Sequence, residues 1–208
     1  TWDLLRWAAT AQRPAADPRS VLTRRLAMAA LVTGNQATSS VVERGLLDAD
    51  TEVRRIAATA AAIDTTISDR EALLKRAIAD QEPRVRLEAL RGWGRQLQPA
   101  SCAPVRAALK DADPHVRLQA IDQMGAGCPA AEGHAELAAI VSTLSTQPRG
   151  WHAPARALVS LARTQPLAGR AADARAIVDL AAADDALDFA SPVFVDDLGG
   201  PMFVTPII

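Results

Sequence analysis

The sequence has 208 residues, of which 49% are hydrophobic and 23% charged, with 23 basic side chains against 24 acidic ones. This near balance excludes a chain that binds polyanions by bulk charge, and no apolar run reaches the roughly 18 residues that a membrane span needs. Aromatic residues make up only 3%, so we expect a core of small aliphatic side chains in closely packed helices. No leader segment with a basic start and an apolar stretch is visible. The sequence starts at Thr1 rather than Met, so a leader or an upstream domain that precedes these residues would not be seen. The sequence predicts no compartment.

A pattern recurs along the chain. Three copies begin at Asp48 (DADTEVRRIA), Asp80 (DQEPRVRLEAL) and Asp111 (DADPHVRLQA), at intervals of 32 and 31 residues. Val, Arg and Ala recur at fixed places after each Asp, and apolar residues recur before it. The stretch from Asp17 is a degenerate earlier copy, and the stretch from Gly150 is a later copy that has Gly in place of the Asp. A period of roughly 20 to 50 residues predicts stacked supersecondary units.

Each copy predicts a pair of helices. Ser40 with Glu43, and Ser68 with Glu71, have the spacing of a capping box and predict the starts of two first helices. Asp113 precedes a proline, which predicts an N-cap followed by Pro at the first helical position of a second helix. Such a pair of amphipathic helices cannot bury its apolar face alone, so neighbouring pairs must stack.

The last twenty residues, 189–208 (FASPVFVDDLGGPMFVTPII), lose the helical period and gain Pro, Gly and β-forming side chains. They predict an extended or hairpin-like apolar tail. Three destinations remain open for this tail: packing on the last helices, capping the stack, or entering another domain or chain.

The pattern D-x-[DE]-x-x-V-R-x-x-A over residues 38–127 resembles HEAT repeats, in particular the short repeats similar to those of phycobiliprotein lyases. The resemblance implies an all-α fold, an α-solenoid that forms a right-handed superhelix of about five helical hairpins. We expect this solenoid to occupy residues 1–188, with its clearest repeats at 38–127 and degenerate copies at both ends, followed by the tail.

The same resemblance implies a ladder of hydrogen bonds, in which each turn Asp bridges its own repeat and the next through second-helix Arg side chains. A catalytic carboxylate does not normally recur in every repeat, so we interpret these residues as structural. Because the copies at both ends are degenerate, the ladder is predicted only for the three clear copies. The ladder is expected to contain Asp48, Arg54, Asp80, Arg86, Asp111 and Arg117.

The remaining reactive residue types predict no chemistry. Cys102 and Cys128 make no disulfide framework and are interpreted as small buried apolar residues. Together with the three histidines they have no metal-binding spacing, so no metal, cofactor or catalytic residue is predicted. Trp93 falls in the apolar pattern and is predicted to fill the core, while its two flanking glycines predict a loosened or bent helix.

The leading functional interpretation is a non-catalytic protein–protein interaction scaffold, which binds a protein or peptide on the concave face of its second helices. An ordinary solvated face is the other interpretation of the same residues. Their mixed charge favours a polar, protein-like partner. The predicted partner-binding residues are Glu52, Arg84, Glu88, Arg91, His115, Gln119 and Asp122.

Two other classes of function compete with the scaffold. One is the regulatory or substrate-binding arm of a larger enzyme of the isomerase, lyase or kinase type, whose catalytic domain would lie outside these residues. The other is a DNA glycosylase of the HEAT-like kind. Those enzymes resemble this chain in their solenoid, but they have a strongly basic groove, whereas acidic and basic residues balance here. We therefore expect no strong binding to nucleic acid.

Overall fold

The computed structural model describes residues 1–11, 18–97, 101–143, 151–163 and 171–182, and all regular secondary structure in these ranges is helical. The chain divides into two compact units, Thr1–Cys128 and Pro129–Ile208, here called unit 1 and unit 2. The helices of unit 1 are α1 (Trp2–Thr10), α2 (Pro18–Thr33), α3 (Ser39–Gly45), α4 (Thr51–Ile63), α5 (Arg70–Ile78), α6 (Pro83–Gln96), α7 (Ala103–Ala108) and α8 (Pro114–Gly127). Those of unit 2 are α9 (Ala130–Val141), α10 (His152–Ala162) and α11 (Ala171–Ala182).

The described residues of unit 1 form a stack of four helical hairpins. Within each hairpin the first helix packs against the second: α1 on α2, α3 on α4, α5 on α6 and α7 on α8. Successive second helices also pack on one another, α2 on α4, α4 on α6 and α6 on α8. Successive first helices are in contact from α1 to α3 and from α3 to α5. This arrangement confirms the prediction of an α-solenoid.

The core of unit 1 is built from the recurring apolar positions. The Val of each clear copy is almost fully buried, and so is the Ala four residues later. Trp93 is buried as predicted, and its indole Nε1 donates to the carbonyl oxygen of Ser101 at 2.8 Å. Since the repeated apolar residues are inside, the variable residues between them form the surface of each second helix.

The starts of the helices agree only in part with the predictions. Asp113 caps α8 as predicted. Its side chain accepts hydrogen bonds from the backbone N–H groups of His115 and Val116. Both predicted capping boxes are wrong. The N-caps of α3 and α5 are Thr38 and Asp69, neither of which makes a side-chain capping bond. Ser40 therefore lies inside the first turn of α3 and Ser68 lies before the N-cap of α5, so neither hydroxyl occupies the capping position.

Unit 2 contains a fifth hairpin, in which α9 packs on α10, and α11 then packs on α10. Its buried apolar side chains include Leu137, Val141, Ala157, Leu158, Leu161 and Ile177. The predicted tail, residues 189–208, lies outside the described residues, so its conformation and the predicted boundary near residue 188 stay predictions.

Candidate interaction surface

Arginines of the second helices connect successive hairpins of unit 1. Arg24, Arg54 and Arg86 each donate from Nε and Nη2 to both oxygens of an Asp in the next repeat, which is the bidentate geometry that suits a guanidinium and a carboxylate. From Nε to Oδ2 the distances are 2.7 Å for Arg24 with Asp48, 2.8 Å for Arg54 with Asp80 and 2.8 Å for Arg86 with Asp111.

The same residues also bind the backbone of their own repeat. Arg86 Nη1 donates to the carbonyl oxygens of Asp80 and Gln81 at 2.9 Å each. The Oδ1 atom of Asp80 accepts from the backbone N–H of Glu82 at 2.8 Å. The second and fourth repeats use the same bonds. Each Asp thus receives an Arg of the preceding repeat, while its own repeat is joined through backbone groups.

The two ends of this ladder differ. At the first repeat Arg24 and Asp48 form a full bidentate pair, although the sequence pattern there is degenerate. At the fourth repeat Arg117 donates to the carbonyl oxygens of Asp111 and Ala112, and it pairs with no carboxylate in the described part of the chain. The ladder therefore extends one repeat before the clearest copies.

The ladder pairs lie in a mostly water-excluded seam. The side chains of Arg54 and Asp80 expose 7% and 10% of their surface. Burial by itself raises the pKa of Asp111, but the hydrogen bonds from Arg86 and from the Asp113 backbone outweigh it, so the pKa of Asp111 lies below its usual value. Because each carboxylate is paired with an arginine of the preceding repeat, we interpret the ladder as structural.

The structure places all seven predicted partner-binding residues on second helices. Arg84 and His115 are exposed, and the other five are partly buried. The Nε of Arg91 donates to Gln119 Oε1 at 3.3 Å, which links α6 to α8. This second-helix face, as we call it, comprises Glu52 on α4, then Arg84, Glu88 and Arg91 on α6, then His115, Gln119 and Asp122 on α8.

Two arginines that sequence reasoning missed form ion pairs with carboxylates on or beside this face. Arg55 holds Glu52 with bonds of 2.9 and 2.6 Å, and Arg25 holds Asp50 with bonds of 2.8 and 2.6 Å. These hydrogen bonds lower the pKa of both carboxyl groups below their ordinary values. The spacing of three between Glu52 and Arg55 was a usable signal in the sequence, because such residues are neighbours on a helix.

The cysteines correct the sequence interpretation. Cys102 and Cys128 are buried, but they form a disulfide, with their Cα atoms 5.7 Å apart. Cys102 immediately precedes α7 and Cys128 immediately follows α8. The start and the end of an antiparallel helix pair lie side by side, so this placement was the signal that the sequence interpretation missed.

A cavity of about 140 Å³ lies between the third and fourth hairpins. It is smaller than the roughly 300 Å³ at which pockets for small-molecule ligands begin. The ion pair of Arg86 and Asp111 lines one part of it. The other lining residues are apolar: Ile78, Leu90, Ala107, Ala108 and Val116. We therefore interpret it as a packing gap in the stack.

Two further findings concern the described residues only. They contain no group of three or more His, Cys, Asp or Glu side chains placed to hold a metal ion. None of their helices is both long enough and apolar enough to span a bilayer.

The stacked helical hairpins, joined by a ladder that recurs between successive hairpins, define a helical-repeat protein of the α-solenoid class. Residues 70–162 match the family model of HEAT repeats, which supports the resemblance seen in the sequence. HEAT repeats are commonly protein-interaction scaffolds, and their fold is generally non-catalytic. No curated protein matches the chain.

Proposed function

We propose that the chain is a binding scaffold, and that a protein or peptide partner docks on the second-helix face of unit 1. The observation that supports this proposal is that repeated and variable positions of each second helix have different surroundings. The repeated Val, Ala and Arg positions are used by the core and the ladder, whereas Arg84, Glu88 and Arg91 on α6 remain at least partly accessible. Repeat stacks present such rows as one extended surface.

The kind of side chain on this face favours a protein partner. Acidic, basic and amide groups alternate from α4 to α8, so the face offers both donors and acceptors. Arg84, Glu88 and Arg91 belong to α6, which packs between α4 and α8. Central positions of an interface exclude water best, so substitutions on α6 should weaken binding most. We infer a role in binding rather than in catalysis.

The proposal is tested by charge reversal followed by partner capture. The full chain with Arg84→Glu and Arg91→Glu is used to capture partners from a lysate of its native host, beside the unmodified chain. A matched control reverses two exposed arginines of the first helices, Arg44 on α3 and Arg76 on α5. Circular dichroism checks that each variant is folded.

We expect capture to be lost for the second-helix variant and kept for the first-helix control. Capture that survives reversal of Arg84 and Arg91, but is lost when residues 189–208 are deleted, would place the binding site in the tail. Equal loss in both variants would show that net charge, rather than this face, governs the interaction.

A further inference from the structure

The second-helix face continues onto α2 with a different chemistry. Arg24 forms the same ladder bond as Arg54, and these residues are 30 positions apart, so Leu22 and Leu26 of α2 occupy the positions of Glu52 and Ile56 in α4. Leu22 is 56% exposed and Leu26 is 61% exposed. They lie one helical turn apart and are therefore neighbours on the helix surface. The face thus begins with a pair of exposed apolar side chains.

The charge along the face is also uneven. On α4 the carboxylate of Glu52 is held by Arg55, and the Asp50 carboxylate at its N-terminus is held by Arg25. Arg84 occupies the corresponding position on α6, 32 residues after Glu52. It is exposed, and its side chain forms no ion pair with the described residues. The face therefore presents an exposed cation, without an ion-pair partner in the described residues, two helices away from the leucine pair.

We propose that the partner is an extended peptide segment with apolar side chains at one end and an acidic side chain about six residues away. The inference rests on the proposed binding face. Stacked helices lie roughly 10 Å apart, so α2 and α6 are separated by about 20 Å. An extended chain advances about 3.3 Å per residue and covers this distance in about six residues. The apolar end covers Leu22 and Leu26, and the carboxylate pairs with Arg84.

A peptide that crosses the second helices can be distinguished from a protein that packs against the first hairpin at the end of the stack. Leu4 and Trp7 of α1 are also exposed, at 66% and 58%, but they lie on a first helix. A neighbour that covered the end of the stack would use them as well as α2. A peptide that crosses the second helices would not. Leu4 is therefore the matched control for Leu26, because both are leucines with similar exposure.

The probe is a phage-displayed library of random linear peptides about twelve residues long, selected against the purified full chain. Enriched peptides are then synthesised, labelled and titrated by fluorescence anisotropy. We expect them to share an apolar pair and an acidic residue about six positions apart. Leu26→Asp and Arg84→Glu should each weaken binding about tenfold or more, because each removes one of the two contacts that anchor the peptide. Leu4→Asp should leave binding unchanged.

Salt supplies a second readout. Binding to the unmodified chain should weaken as the salt concentration rises. The Arg84→Glu variant should lose or reverse this dependence, since salt screens the new repulsion as well as the original attraction. Peptides without the apolar and acidic pattern that still lose binding on Arg91→Glu would overturn this inference and leave the proposed face standing. Peptides insensitive to every second-helix variant would overturn both. Failure to enrich any peptide, or equal loss in Leu4→Asp and Leu26→Asp, would also overturn the inference.

Discussion

The third hairpin, α5 with α6, and the fourth, α7 with α8, share one sequence pattern but are held in the stack by different means. In the third hairpin α5 has nine residues, and α6 packs closely on α4. A side chain at Gly92 would meet the Cα of Ala62 at 2.7 Å, so the two backbones are nearly in contact there. Close backbone approach of this kind requires glycine.

The fourth hairpin has less packing and a covalent link. Its first helix, α7, has six residues, and the cavity of about 140 Å³ lies against its side chains Ala107 and Ala108. The disulfide between Cys102 and Cys128 joins the two ends of this hairpin. The comparison teaches that one apolar pattern specifies the hairpin, while its attachment depends on residues outside the pattern. We infer that the disulfide stabilises a first helix that packing alone holds weakly.

Removing the disulfide should have a large effect. The Cys102→Ala and Cys128→Ala double variant is expected to lower the free energy of unfolding of unit 1 by about 3 kcal/mol, because the link closes a loop of 26 residues. Hydrogen exchange measures where stability is lost, and protection should fall most in α7. Dithiothreitol should reproduce the loss in the unmodified chain and do nothing to the double variant. Unchanged exchange in α7 would contradict the inferred role.

Breaking the ladder between the two hairpins should come next. Arg86→Ala leaves the Asp111 carboxylate without its bidentate partner in a mostly buried position, and we expect a loss of roughly 2 to 4 kcal/mol in denaturant melts. Arg117→Ala is the matched control. It removes bonds to two backbone carbonyl groups but no carboxylate pair, so about 1 kcal/mol is expected. A change below about 0.5 kcal/mol for Arg86→Ala would show that the pair is not structural.

Two glycines of α6 sharpen the comparison at a smaller scale. Gly92→Ala forces a methyl group against the α4 backbone and should cost about 2 kcal/mol. Gly94→Ala meets the Gln123 amide, the movable end of a side chain that donates to the Leu90 carbonyl oxygen at 2.8 Å. The lost bond and the improved helix propensity should roughly cancel. Thermal melts of both variants test this, and equal destabilisation would contradict it.

The sequence predicted the helical pairs and the core because both follow from periodicity alone. A repeated Val, Arg and Ala at fixed spacing placed Val53, Val85 and Val116 inside before any contact was known. The ladder residues came from a family resemblance. Their partners needed the structure, since only three-dimensional stacking shows that Arg54 reaches the carboxylate of Asp80 in the next repeat.

Sequence reasoning falls short where one residue type can serve two structural purposes. The glycines beside Trp93 predicted a loosened or bent helix. In the structure α6 is continuous through them, and they serve close contacts with α4 and α8. Periodicity reports which face of a helix is buried, but not how near the neighbouring backbone lies. The predicted partner-binding residues rest on register alone, so they stay a proposal for the capture and peptide experiments to decide.

A small expected gain in stability tests the packing difference between the third and fourth hairpins directly. Ala108 of α7 lines the cavity, whereas Ala77 of α5, 31 residues earlier at the same place in the pattern, is buried and does not line it. Ala108→Val should fill part of the cavity and stabilise unit 1 by about 0.5 to 1 kcal/mol. Ala77→Val should overpack the third hairpin and destabilise it by about 1 to 3 kcal/mol. The lower helix propensity of Val is common to both variants, so it cancels in the comparison. Urea melts of the pair therefore isolate packing, and effects of the same sign at both positions would show that the two hairpins are packed alike.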